Sequence, residues 1–252
     1  DRMPSPRLQR TKRFFVSFSL QKEGLASLPV AAFLAAIFMP SGITTAFLPL
    51  WLADRGLSAA AIGQVLGIAT LAPMHRLDRE TAGVLVFTVR PDTRHAYHAL
   101  LREHAVHKAY EAVAPWRAGL ATPALARHRL DKPAGAGFMQ VRVVDGQPNA
   151  QTLVELVGRL AAPRRDLALY RLTPRTGFTH QLRVQMNALG VPIVGDRIYP
   201  RLWPEPAAGE PPDWSHPLQL LAREIAFTDP VTGAERRFTS RRRLQAAADL
   251  AR

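Results

Sequence analysis

Cysteine is missing from all 252 residues, so neither a disulfide nor a thiolate metal site can hold this chain together. Its stability must come from a packed core, and the length suffices for one large domain or two small ones. Acidic side chains are scarce, 20 against 33 basic ones, which leaves a formal charge of +13. That sign suits a polyanionic partner, although net charge alone does not separate nucleic acid from an anionic membrane or simple solvation. Among the basic residues arginine dominates heavily over lysine. Arginine offers a planar fork that matches phosphate and stacks on bases.

Charge of either sign is absent from Gly24 to Ala53, and again from Gly56 to Met74. The first run is long enough to cross a bilayer as a helix. Arg10, Lys12, Arg13 and Lys22 precede it, which in a membrane would place the amino end on the cytoplasmic side. Pro29, Pro40 and Pro49 would disturb a soluble helix, whereas membrane helices tolerate proline better. Within this region FLPLWLADRGLSAAAIGQVLG resembles the end of the first helix, the loop and the start of the second helix of a major facilitator transporter. Nothing after Pro73 is apolar enough to add another span, so transport by this chain is not expected and a junction of unrelated pieces is the expectation. The organisation expected is an apolar helical segment over 1–71 and a separate domain over 72–252. Membrane attachment through 24–73 is the less favoured alternative to a cytoplasmic protein.

From Met74 the texture changes to short alternating runs separated by turn residues, the pattern of a β-rich domain with a few helices. Strands are expected over 84–89, 108–114, 167–172, 218–227 and 235–239, with a helix over 92–104 opened by Pro91-Asp92-Thr93. Runs over 138–144 and 151–157 flank Asp145-Gly146 and predict a hairpin. Thr179 is expected to cap a second helix that ends at Gly190. In that helix Leu182, Met186 and Leu189 share one face, with His180, Arg183 and Asn187 on another.

The densest polar run is HRLDRETAG, His75 to Gly83, set directly before an apolar strand. Asp78 stands there between Arg76 and Arg79, a setting that favours an ionised carboxylate and an anionic ligand, as a solvated loop also would. The run is similar to the hallmark HRLDRxTSG of the RluA-type pseudouridine synthases, with Ala82 where serine is usual. Two further segments follow in that family's order. Lys108 to Ala112 (KAYEA) resembles its K-x-Y-x-A strand, and Arg175 to Arg183 (RTGFTHQLR) resembles GRTHQIRVH, read with an insertion after Thr176. Val191 to Tyr199 looks like HPLVGDxxYG, where Gly195 and Asp196 make a turn and count as structural. Leu221-Ala222 keeps the spacing of a closing LHA strand.

The resemblance implies an α+β fold, a mixed and mainly antiparallel sheet with flanking helices, acting on uridines in rRNA or tRNA. It assigns Asp78 as the catalytic carboxylate, Tyr110 as the aromatic surface against the target base, and Arg183 as the ion-pair partner of Asp78. Arg76, Arg79 and His180 are the candidates for RNA contact. The reaction demands no cofactor and no metal, and His95, His98, His104 and His107 carry no patterned acidic or thiol partner that would suggest zinc. The family's usual strand and DKPAG loop ahead of the catalytic run are expected to be missing, and Asp131 to Gly135 imitates that loop on the wrong side. A membrane-anchored or catalytically inactive RNA-binding protein is the alternative.

Overall fold

The strand that dominates the topology is the ninth, because it pairs along both edges and brings distant parts of the sequence side by side. A computed structural model describes residues 17–20, 72–88, 90–132, 140–161, 163–164, 166–204 and 215–247. In chain order the strands are β1 (Ser17–Leu20), β2 (Ala72–Pro73), β3 (Ala82–Thr88), β4 (His107–Pro115) and β5 (Ala124–Asp131). They continue with β6 (Arg142–Val144), β7 (Ala150–Arg159), β8 (Leu167–Pro174), β9 (Leu220–Thr228) and β10 (Glu235–Thr239). Among the described residues two α-helices accompany them, α1 (Arg94–Arg102), entered through a short 3-10 turn at Pro91–Thr93, and α2 (Gln181–Ala188).

Antiparallel ladders join β9 to β4, β4 to β8, and β8 to β7, so the central strands form one continuous sheet. On its other edge β9 pairs with β10 along Glu224–Thr228 and, at its start, with β3 in parallel. That parallel contact is only two residues long, Ala82 against Leu221 and Gly83 against Ala222. It aligns a row across the sheet, Gly83, Ala222, Tyr110 and Leu172. Gly83 has φ +125°, and a Cβ there would lie 2.2 Å from the Ala222 carbonyl oxygen, so only glycine permits this approach.

Alternation along β4 divides the core. Ala112 and Ala114 face Leu182 and Met186 of α2, together with Tyr170 and Leu172 of β8. Val113 faces the opposite way, into a cluster with Leu221, Leu244 and Ala246. Helix α1 covers Val84, Val86, Ile225 and Phe227 through Tyr97, whose hydroxyl donates to Asp229 at 2.9 Å.

The mixed, mainly antiparallel sheet with few helices is the architecture expected, and the strand positions agree within a few residues. The hairpin at Asp145-Gly146 does not form. β6 and β7 do not pair with one another; each pairs with β5, β6 along Arg129–Asp131 and β7 along Ala124–His128. Gly146 is in the left-handed half of backbone space, but its loop folds against the Arg129 side chain, and Asn149 bonds the backbone of Leu130 from both ends of its amide. Those contacts replace the direct turn-to-strand closure. At the other edge, β1 pairs antiparallel with β3 from Ser17↔Val86 to Leu20↔Gly83, so part of the segment read as helical supplies a strand to this sheet. The rest of the apolar segment, its transporter-like motif and the proposed boundary at 71/72 lie outside the described residues, as does the greater part of the DKPAG imitation. Among the described residues, no helix is long and apolar enough to cross a membrane.

Candidate active site

The loop before β3 is fixed at both ends. Met74 donates its N–H to Val86 O at 2.8 Å and is buried among Val84, Val86 and Tyr97, while Thr81 N donates to Asp78 O at 2.9 Å to close a tight turn. Between them His75 Nε2 accepts the N–H of Val86 at 3.2 Å. Asp78 is therefore carried at the head of β3, half-buried, with its carboxylate outside the hydrogen bonds that hold the turn.

The row Gly83, Ala222, Tyr110 places the β4 tyrosine beside this loop. Asp78, Tyr110 and Lys108 line one cavity of about 380 Å³, walled on its far side by the β8–α2 turn and by the end of α1. Burial and the negative charge of Asp78 both push the Tyr110 phenol far above its ordinary value, so it stays protonated. Burial pushes the Lys108 ammonium down from the ordinary lysine value.

The β8–α2 turn is held by buried glutamines. Gln181 Oε1 accepts from Phe178 N (3.0 Å) and from Thr176 Oγ1 (2.8 Å), and Gln181 Nε2 donates to Gln151 O (3.0 Å) and Thr152 Oγ1 (2.9 Å). Gln185 continues inward, accepting from Thr152 Oγ1 at 2.6 Å. No residue is looped out of this turn. Aligned on Gly177, GFTHQLRVQ fits GRTHQIRVH without a gap, and Phe178 occupies the place of an arginine; the supposed insertion came from aligning on Arg175. Phe178 is exposed at the cavity mouth.

Thr179 does not cap α2. The capping position is His180, in the left-handed region at φ 53° and without a side-chain bond to the helix, while Thr179 Oγ1 accepts from Arg76 at 2.8 Å. The Gly190 end is as expected, with φ +76° and its N–H donating to Asn187 O at 2.9 Å.

Arg183 departs most from expectation. Residues 181–186 are buried on every side, so α2 has no solvent face there, and Arg183 is only 2% exposed. Its ion pairs are with Asp196 (2.9 and 2.5 Å) and Glu80 (3.1 Å), not with Asp78. Asp196 also accepts the N–H groups of Ile198 (2.8 Å) and Tyr199 (3.0 Å), which clamps the guanidinium in place. Bonding to Asp196 and the charges of Asp196, Glu80 and Asp78 outweigh burial and raise the Arg183 pKa. Asp78 thus meets Arg183 through its field and through Glu80, two residues along the same loop. Lys108, left without a role, lines the cavity, while Asp196, read as a structural turn residue, and Glu80 hold Arg183. The signal for Asp196 was present: a carboxylate in the same run of motifs as a buried arginine needs a cation.

Of the RNA-contact candidates, Arg76 is exposed and lines the cavity, and Arg79 is exposed but is not part of its lining. His180 lines the cavity from a buried position, its Nδ1 3.2 Å from the Tyr199 hydroxyl. Burial is the main cause lowering its pKa, and the charge of Asp78 opposes it. Among the described residues there is no group of three metal-ligating side chains; of His95, His98, His104 and His107, only His104 lines the cavity, with His75 and His180.

Residues 40–188 match the RNA pseudouridylate synthase family. The chain belongs to that family. It is 32% identical over 171 residues to the dual-specificity RNA pseudouridine synthase RluA of Vibrio vulnificus, covering 62% of this chain and 60% of that one. With the ribosomal large subunit pseudouridine synthase C of Escherichia coli it shares 30% identity over 193 residues, 72% of this chain and 58% of the other. The human RNA pseudouridylate synthase domain containing 1 shares the fold, with a TM-score of 0.57 at 20% identity over 75% of this chain and 82% of that one. The chain spans about 60% of the length of the curated relatives it matches first. These relatives place it with pseudouridine synthases of the RluA type.

One property of this family member follows from the loop itself. Burial, aided by the charge of Lys108, lowers the His75 pKa from 6.5 to about 4. Between those values the unfolded chain binds a proton that the folded chain refuses, so stability falls as pH drops from 6.5 towards 4 and the penalty is constant below that. Urea denaturation over this range is expected to show a steeper acid loss for the natural protein than for His75→Gln.

Proposed function

We propose that this chain isomerises specific uridines of structured RNA, rRNA or tRNA, to pseudouridine, with Asp78 as the catalytic carboxylate. The observation that carries the reading is the joint presence of Asp78 and Tyr110 in one cavity, an acid group and an aromatic face close enough for the carboxylate to perturb the phenol. Names of the relatives support the substrate class, since they describe RNA and ribosomal large subunit enzymes.

Pseudouridine formation breaks the bond between ribose C1′ and uracil N1, turns the base, and joins C1′ to C5, which then gives up its proton while N1 gains one from solvent. Asp78 either adds to C1′, to be displaced when C5 attacks, or takes the C2′ proton and returns it afterwards. Both routes need a base lifted out of its stack and held while detached. Tyr110 supplies an aromatic face in place of the lost neighbours. Its protonated hydroxyl points to an acidic or hydrogen-bonding role and not to a resting phenolate base. Arg183, held by Asp196 and Glu80, meets Asp78 through its charge without an ion pair, and Arg76 at the rim is placed for a phosphate.

The test is tritium release from RNA labelled at uridine C5, coupled to mapping of pseudouridine. Release with one or a few mapped sites is expected; none from any structured RNA removes the proposal. Tyr110→Leu is expected to lower kcat/KM by about 10- to 100-fold through lost stacking. Tyr110→Phe keeps the aromatic face, so its KM stays near that of the natural protein and any loss is confined to kcat.

A further inference from the structure

Among the described residues Lys108 is the one recessed cation of the cavity. Arg76 and Arg102 also line it, but both are exposed, the first bonded to Thr179 at the rim and the second on the last turn of α1. Lys108 is half-buried on β4 and, among the described residues, forms no ion pair. A desolvated ammonium without a counter-ion is unfavourable, and such groups persist where an anion is to be met. Among the described residues Asp78 is the only carboxylate in the lining, against the side chains of Arg76, Arg102 and Lys108.

Placement indicates which anion. Lys108 and Tyr110 are alternate residues of one strand, and both line the same cavity. Two residues of strand advance by about 6.6 Å, comparable to the separation of a pyrimidine ring from its own phosphate. The Lys108 ammonium lies under the β8–α2 turn, where a Cβ added to Gly177 would sit 3.7 Å from Nζ. The ammonium is a compact charge at van der Waals distance from that turn. Only four of the 33 basic residues are lysines, Lys12, Lys22, Lys108 and Lys132, so the residue type at this place is a departure from the chain's own habit.

We propose that Lys108 binds a phosphate flanking the extruded uridine, so that the cavity recognises a nucleotide and not merely a uracil base. The proposal rests on the reading of the site as a uridine isomerase. With the base on Tyr110 and the phosphate on Lys108, the ribose between them is presented to Asp78. Lys108 is thus a substrate-binding and positioning residue, distinct from the carboxylate that reacts.

Binding of uridine 3′,5′-bisphosphate and of uridine is to be compared by NMR titration of the full chain and of Lys108→Met. The natural protein is expected to prefer the bisphosphate by about 10- to 100-fold, the worth of one charge-assisted contact, and Lys108→Met to lose that preference while binding uridine unchanged. No preference in the natural protein, or one that survives in Lys108→Met, overturns the proposal. A second measurement uses the mapped RNA with a neutral methylphosphonate at either linkage flanking the target. One substitution is expected to lower kcat/KM for the natural protein and to have no further effect in Lys108→Met; losses that multiply overturn the assignment. Tritium release without a bisphosphate preference defeats this inference alone, whereas a bisphosphate preference without release defeats the isomerase reading and leaves the anion site standing. Thermal midpoints equal to within a few degrees separate either outcome from misfolding, and Lys108→Gln serves if the methionine variant is unstable.

Discussion

Asp78→Asn is expected to abolish tritium release, a loss of about a thousandfold or more, with the fold intact. The size follows from the chemistry, since an amide neither adds to C1′ nor takes a proton at neutral pH. The intact fold follows from the structure. The turn is closed by the Asp78 backbone carbonyl, not its carboxylate, and the side chain is half-buried at the edge of the cavity. Unfolding free energy should therefore change by no more than about 0.5 kcal/mol. Comparing initial rates of release with a denaturation curve for the same preparation checks both halves, and equal release from the two proteins removes Asp78 from the mechanism.

Arg183→Met is expected to have the largest effect on stability, about 3–5 kcal/mol, because it strands the carboxylate of Asp196 in the interior. Asp196 is 7% exposed and would keep only its two backbone donors. Guanidinium denaturation measures this directly. Pairing the change with Asp196→Asn should recover much of the loss, since an amide can retain the bonds from Ile198 and Tyr199 without a buried charge. Activity should not return in the double variant, whose site lacks the guanidinium charge that Asp78 meets. Recovery of both stability and tritium release would show that Arg183 only supports the fold.

Legibility in the sequence divided along physical lines. Strand runs such as 84–89 and 108–114 were visible because alternation or a continuous apolar stretch is a local property, and β3 and β4 occupy those places. Asp78 and Tyr110 were found through motifs, and the sheet row from Gly83 to Tyr110 explains why residues 32 apart in sequence share a cavity. Partners of Arg183 were misread because periodicity assigns a helix two faces, and α2 is surrounded: its polar side chains satisfy one another inside the protein. The Asp145-Gly146 hairpin failed for the same kind of reason, since a turn signal states that the chain can bend, not which neighbour it then meets. Pairing across β5 is decided by long-range contacts that no short window contains.

The glycine contact between β3 and β9 works as a datum for measurement. With the backbone at Gly83 pinned against Ala222, the five-residue interval back to Asp78 sets how far the acid stands from the tyrosine. Adding or removing one residue in that interval would break the turn that Thr81 N closes on Asp78 O and carry the carboxylate away from Tyr110. The interval is a fixed-gauge spacer, in which the count of residues matters as much as their identity.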